Sequence, residues 1–160
     1  MTGVIQYKRE AIVLETFLES LDGFRNQVAV YNRAQPVPAG TMRGTMVLAA
    51  DADDGDLVLS ISAGGGQAAK TLLTGDLLGI GSGTSQQVVR LAANAVANGS
   101  GVISVTLNHA LIGDFAAGTS VRWNQPQALF RQAQDNSGIE YTPGGIGQPW
   151  ALDLIEDRRP

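Results

Sequence analysis

Two stretches of the chain contain residue types that could bind phosphate or act as a general base. The glycine-rich residues 79–85 offer backbone N–H groups, but the P-loop lysine is missing and no amphipathic helix follows. The single histidine, His109, lacks metal-ligand spacing and a neighbouring nucleophile motif. The patterns therefore favour a glycine-rich β-turn and a loop histidine over a nucleotide site or a catalytic base.

An acidic run at residues 51–56 contains four aspartates, which supply the oxygen ligands that calcium prefers. Its Gly55 stands one position earlier than the glycine of an EF-hand loop, and the twelfth position is Ser62 instead of glutamate. The run therefore predicts a solvated acidic turn between two strands and no metal site.

Four aromatic residues could form a flat sugar-binding face: Trp123, Trp150, Tyr31 and Tyr141. Trp123 alternates with Val121, which favours an interior position for both side chains. Trp150, Tyr141 and the acidic run 51–56 keep a carbohydrate-binding β-sandwich open as an alternative function.

The composition excludes several classes of function. The 160 residues include no cysteine, which removes thiolate zinc sites, disulfides and cysteine nucleophiles. Fifteen acidic and 11 basic residues give a net charge of −4 without a basic stripe, which disfavours binding to nucleic acid or to a membrane surface. No stretch of about 18 apolar residues occurs, and the N-terminal residues lack the apolar block of a secretory signal. We expect a protein that is made in a cytoplasm, is not an enzyme and carries no cofactor. An enzyme that acts on the cell wall has the least support.

One amphipathic helix is predicted over residues 8–22. Its apolar residues recur at i, i+3, i+4 and i+7, and are Leu14, Phe17, Leu18 and Leu21. Gly23 follows where a left-handed C-terminal cap would stand, so the helix should end there.

After residue 26 the apolar period changes to two, which predicts short strands. The predicted strands cover residues 27–31, 45–50, 57–62, a short strand within 72–81, 86–96, 102–107, 119–123, 128–132 and a last strand around 152–155. Leu57, Leu59 and Ile61 should share one face. Asn98-Gly99 tolerates positive φ, so strands 86–96 and 102–107 should be antiparallel neighbours joined by a tight hairpin.

Together these elements predict a mainly β fold: a single antiparallel β-sandwich or barrel domain with one N-terminal amphipathic helix. The helix covers residues 8–22 and the β domain covers 27–132. Residues 133–160 form an extended arm, rich in Gly and Pro up to residue 149, and a short C-terminal strand.

The order of three motifs resembles tail proteins of long-tailed bacteriophages, in particular the distal tail protein family. The first motif runs from 9–11 into Phe17-Leu18-Glu19-Ser20-Leu21-Asp22-Gly23, and the second is Leu73-Thr74-Gly75-Asp76-Leu77-Leu78-Gly79-Ile80-Gly81. The third covers 88–107 and continues through Gly118-Thr119-Ser120-Val121 to Leu129-Phe130-Arg131. The likeness spans residues 8–132.

This resemblance implies a structural protein of the virion, assembled in the host cytoplasm as a ring, commonly a hexamer. The ring would lie at the distal tail or baseplate and join the tail tube protein to the tail hub protein. Another tail or neck component is the alternative within the same class. Exposed strand edges and arms suit such contacts, and we expect inter-subunit contacts at Thr2, Val4, Ile5, Tyr7, Ile139, Tyr141, Ile146 and Trp150.

Overall fold

The computed structural model describes residues 2–3, 8–23, 25–133 and 150–157. Its helix is α1 (Lys8–Ser20). The strands in chain order are β1 (Thr2–Gly3), β2 (Val28–Tyr31), β3 (Met46–Leu48), β4 (Val58–Ser62), β5 (Thr71–Leu72), β6 (Leu77–Ile80), β7 (Gln87–Arg90), β8 (Ala95–Val96), β9 (Val102–Thr106), β10 (Ser120–Arg122), β11 (Gln127–Gln132), β12 (Trp150–Ala151) and β13 (Leu154–Glu156). The predicted mainly β fold with one N-terminal helix is confirmed.

The chain forms two compact units. The helix unit contains residues 1–29 and 129–157, and the β unit contains residues 30–128. Strands β2 and β11 each pass from one unit into the other.

The β unit is a curled, six-stranded antiparallel sheet with the strand order β7-β6-β10-β3-β4-β9. Its two outer strands meet at one end, where the Ala92 N–H donates to the Thr106 carbonyl (2.8 Å) and the Asn108 N–H donates to the Arg90 carbonyl (2.8 Å). The sheet is therefore a partly closed barrel. A two-stranded ribbon of β5 and β8 belongs to the same unit.

Alternation along the strands fills the barrel. Ile103, Val105 and Leu107 are buried, as their period of two predicts. Leu59 and Ile61 are buried as well, but Leu57 is 50% exposed. The prediction for Leu57 is wrong because β4 begins at Val58, so the alternation does not extend back to residue 57.

The predicted strand 86–96 is interrupted. It forms β7, turns at residues 92–94 and continues as β8, which pairs with β5. It pairs with the predicted strand 102–107 at its middle, through a bridge between Leu91 and Leu107, while β8 lies close to β9 without a ladder between them. The hairpin turn is present, but its positive φ lies at Gly101 (+75°) and not at Asn98 or Gly99. The Asn98 side chain instead accepts the Ser100 and Val102 N–H groups, as in an Asx turn.

The helix unit packs α1 over a three-stranded sheet in the order β13-β11-β2. Its buried apolar cluster in the described ranges consists of Leu18, Leu21 and Leu152, and Leu129 of β11 is buried as well. The helix ends at Ser20, two residues earlier than predicted, because Asp22 (φ +46°) already adopts the left-handed conformation before Gly23 (φ +61°). Phe17 was expected on the buried stripe but is 39% exposed.

Candidate interaction surfaces

The Gly75-Asp76 turn of the second motif is held together by a buried carboxylate. Asp76 is fully buried and accepts hydrogen bonds from the N–H groups of Ala39 (2.7 Å), Gly40 (3.1 Å) and Leu73 (2.7 Å). A charged acceptor with three backbone donors offsets the cost of burying its charge. Asp76 therefore connects the Pro-rich segment that ends at Gly40 to the turn before β6. Its role is to stabilise the fold.

Two glycines of the same motifs allow close approach of the backbone. At Gly81 (φ +79°) a Cβ would stand 2.8 Å from Cε1 of Phe115, and at Gly101 a Cβ would overlap with the carbonyl of Gly64. No larger residue could occupy either position without moving its neighbour. Asp76, Gly81 and Gly101 thus shape the barrel.

Trp123 is covered by a cation from its own unit. The Arg43 guanidinium lies 5.0 Å from the centre of the Trp123 ring, and its Nη1 donates to the carbonyls of Gly40 (2.7 Å) and Met42 (2.6 Å). The Trp123 Nε1–H donates to the Gly44 carbonyl (2.8 Å), and the ring packs against the core. One face of Trp123 is therefore engaged by Arg43 and is not a free platform for a sugar ring.

The acidic run 51–56 binds its neighbouring loop. Asp51 accepts the Ala117 N–H (2.7 Å), and Asp54 accepts the Gly113 N–H (2.8 Å). Asp114 returns the interaction by accepting the Asp54 N–H (2.9 Å). Across the described ranges, no three His, Cys, Asp or Glu side chains are grouped so that they could hold a metal ion. The run forms the predicted acidic connection between β3 and β4.

The other sequence candidates are His109 and the glycine-rich residues 79–85. His109 is exposed after β9, with Nε2 at 3.3 Å from Nδ2 of Asn108. Gly79 and Ile80 belong to β6, and Gly83–Ser85 form a single 3-10 turn. A turn of this length lacks the dipole of an α-helix N-terminus, as the sequence predicted for this stretch.

Apolar side chains are exposed on both units. In the β unit, Leu57 and Val58 are neighbours that are 50% and 55% exposed, and Val96 is 64% exposed. In the described part of the helix unit, the exposed large apolar residues are Ile12, Val13, Phe17 and Ile155. Val13 is 66% exposed, which is high for an apolar residue in the middle of a helix. We call the surface formed by Leu57 and Val58 the barrel patch.

The residues predicted to make inter-subunit contacts fall mainly outside the described ranges. Val4, Ile5, Tyr7, Ile139, Tyr141 and Ile146 lie there, so their predicted contacts stay predictions. The backbones of Thr2 and Trp150 belong to β1 and β12, which pair with each other in an antiparallel ribbon. Part of the hydrogen-bonding capacity of these two segments is therefore used within one chain.

Sequence reasoning missed the barrel patch and Val13. Val58 was assigned to a strand without regard to the outward face, and Ile12 and Val13 lie outside the Leu14, Leu18 and Leu21 stripe. Apolar residues on the polar side of a helical stripe were the available signal.

No protein-family model matches this chain, and no curated protein matches it either. Among the helices of the described ranges, none combines the length and the apolar character that a bilayer crossing requires.

Proposed function

We propose that this chain is a structural subunit of the tail of a long-tailed bacteriophage, assembled as a homo-oligomeric ring at the distal end, where it joins the tail tube to the hub. The order of the three motifs is the basis for the family assignment. Their residues, such as Asp76 and Gly101, have fold-determining roles. Such roles are expected if the resemblance to the family lies in the fold and not in a reactive site.

The observation that carries the ring is the presence of two different apolar surfaces on one subunit. A closed ring needs heterologous contacts, in which one surface of each subunit binds a different surface of the next. The barrel patch of Leu57 and Val58 is one such surface. The second is the outer strand β13, whose Ile155 side chain is exposed and which forms one edge of the three-stranded sheet. An outer strand can accept a segment of a neighbouring chain by backbone pairing.

The barrel patch itself contains no ionisable side chain. It lies between Asp56, whose carboxylate accepts the Asp53 N–H (2.9 Å), and the β4 residues Leu59 and Ser60. Burial of the two aliphatic side chains removes apolar surface from water and thereby favours association.

The mass of the purified chain tests the ring. Native mass spectrometry over a concentration series should give an oligomer, with a hexamer as the expected mass. Val58→Glu should shift the population to smaller species, because a carboxylate would be buried at the contact. Val96→Glu is the matched control, since Val96 is equally apolar, similarly exposed and also on a strand. It should leave the mass distribution unchanged.

Purified phage particles test where in the virion the chain is located. Immunogold labelling of the phage that encodes the chain should place the label at the distal end of the tail. A chain that is monomeric at every concentration and absent from purified tails would refute the proposal, and a label at the neck would favour the alternative component.

A further inference from the structure

We propose that the exposed face of α1 binds the same face of a second copy of this chain, as an antiparallel, two-fold symmetric helix pair. This contact does not depend on the assignment to a phage tail. It also differs from the ring contact, because a two-fold contact uses one surface twice. Within a ring assembly, it would join subunits that the head-to-tail contact leaves apart.

The contact surface is one continuous face of α1, which we call the helix face. Its residues recur at i, i+4, i+7, i+8 and i+11, and are Arg9, Val13, Thr16, Phe17 and Ser20. All five are exposed, as is the neighbouring Ile12. The helix therefore has a second apolar face in addition to the stripe of Leu14, Leu18 and Leu21 that packs in its own unit.

The two hydroxyl residues on the helix face do not make it polar. Oγ1 of Thr16 donates to the Ile12 carbonyl (2.9 Å), and Oγ of Ser20 donates to the Phe17 carbonyl (2.6 Å). Both hydroxyls are thus bonded within the helix, and their methyl and methylene groups add to the apolar surface. Such a face can be buried without leaving a polar group unsatisfied.

The charges at the two ends of α1 indicate that the partner of the helix face is a second copy of α1. The first turn, Lys8-Arg9-Glu10, carries a net charge of +1, and the second half contains Glu15 and Glu19 with no basic residue in the last turn. This order is opposite to the one that stabilises a helix through its own macrodipole. A second α1 that runs antiparallel brings the basic start of each helix to the acidic end of the other, so the same charges become favourable.

An antiparallel pair that crosses at the middle of α1 satisfies both features. Val13 of each chain then lies opposite Thr16 of the other near the centre, and Phe17 of each chain packs beside Ile12 of the other. Arg9 reaches the last turn of the other helix, where the carboxylate of Glu19 is the partner for its charge. Glu19 is the relevant acid because Asp22 is already paired with Arg25 (3.3 Å).

The small size of the helix face limits the expected affinity of the dimer. A helix of 13 residues is roughly 20 Å long, so one helix pair is smaller than a standard interface. The dimer should therefore form at high protein concentration and be strengthened when other contacts hold the chains together.

Sedimentation equilibrium of the full chain tests the helix pair. The experiments use the Val58→Glu background, in which the proposed ring contact is removed, and also the unmodified chain. Val13→Glu should abolish the dimer because it buries a carboxylate in the centre of the contact. Val96→Glu, at similar exposure, should have no effect.

A charge exchange identifies the orientation. Arg9→Glu and Glu19→Arg should each raise the dissociation constant about tenfold, since each pair occurs twice in a symmetric contact. The double variant, Arg9→Glu with Glu19→Arg, should return it to within about threefold of the starting value. Neither single change should unfold α1, because each places the charge that the macrodipole prefers, and circular dichroism at 222 nm checks this.

Two outcomes would overturn the helix pair: an unchanged dissociation constant in Val13→Glu, or a double variant as weak as either single variant. A ring lost in Val58→Glu with the helix dimer intact supports both proposals. A dimer that responds to Val13→Glu but a mass that ignores Val58→Glu refutes the ring contact alone.

Discussion

The two units of this chain differ in how they bury apolar surface. In the β unit, 18 buried residues form one cluster inside the partly closed barrel. In the described part of the helix unit, the buried cluster contains Leu18, Leu21 and Leu152, while Ile12, Val13 and Phe17 on α1 are exposed. The β unit thus buries most of its apolar side chains internally, with Leu57, Val58 and Val96 among the exposed exceptions, whereas the helix α1 leaves three of its own exposed to solvent. The difference indicates that stability resides mainly in the barrel, and that α1 keeps apolar surface available for association in addition to the barrel patch.

The largest expected effect comes from removing one leucine side chain from each core. Leu78→Ala in the barrel should lower the free energy of unfolding by about 3–5 kcal/mol, because Leu78 is fully buried in close-packed surroundings. Leu18→Ala in the helix unit should cost less, about 2–3 kcal/mol, because a smaller cluster can collapse more easily around the cavity.

The measurement must separate the two units. In a Trp150→Phe background, Trp123 is the single tryptophan, and its fluorescence reports unfolding of the barrel by urea. Circular dichroism at 222 nm reports α1. If Leu18→Ala shifts both signals equally, the two units unfold in one cooperative transition. The barrel is then not separately more stable than the helix unit.

The next effect concerns the hairpin before β9. Gly101→Ala should cost about 2–3 kcal/mol, because its φ of +75° disfavours a side chain and the added Cβ would overlap with the Gly64 carbonyl. Gly99→Ala is the matched control, since nothing lies within 4 Å of its Cβ position and its φ is not positive. It should change stability by less than about 0.5 kcal/mol in the same urea experiment. Equal effects would show that the turn is looser than the Gly64 contact indicates.

Asp76 should follow with a somewhat smaller effect. Asp76→Asn keeps the size of the side chain but turns an amide group toward backbone donors, which should cost about 1.5–2.5 kcal/mol. Asp114→Asn removes a charge from an exposed carboxylate that accepts one N–H in the described structure, and it should cost less than about 1 kcal/mol. Thermal unfolding of both variants checks the difference. Similar losses would mean that burial adds little to the role of Asp76.

The same comparison explains what the sequence could predict. Periodicity identified the helix and the longer strands, because Ile103, Val105 and Leu107 alternate with polar residues and Leu14, Leu18 and Leu21 recur at helical spacing. The two-residue strands β1, β5 and β12 are too short to show a period and were not predicted as separate strands. Barrel closure was not predictable, since the bridge between Leu91 and Leu107 depends on how far the sheet curls. The break after Leu91 was missed because residues 92–96 are as apolar as the strand before them.

Surface roles were harder to predict than core roles. Asp76 holds a structural turn, but two of its three backbone donors belong to residues 39–40, far along the chain, so its neighbours in sequence do not reveal them. Phe17 was assigned to the buried stripe because helical spacing defines a face and not how much of it a neighbour covers. Exposure at Val13 and Phe17 is a tertiary property, and a single sequence leaves it undetermined.

The smallest expected effect has the opposite sign to the others. Arg9→Glu places an acidic residue in the first turn of α1, where the macrodipole favours it, and should stabilise the helix unit by about 0.3–1 kcal/mol. Thermal unfolding at 222 nm, under dilute conditions where the chain does not dimerise, measures this gain.

The same substitution is expected to weaken the helix pair about tenfold. A residue that makes its own helix less stable and its dimer more stable is serving association. If Arg9→Glu instead destabilises the dilute chain, Arg9 makes a contact within its own unit, and the charge argument for the helix pair fails.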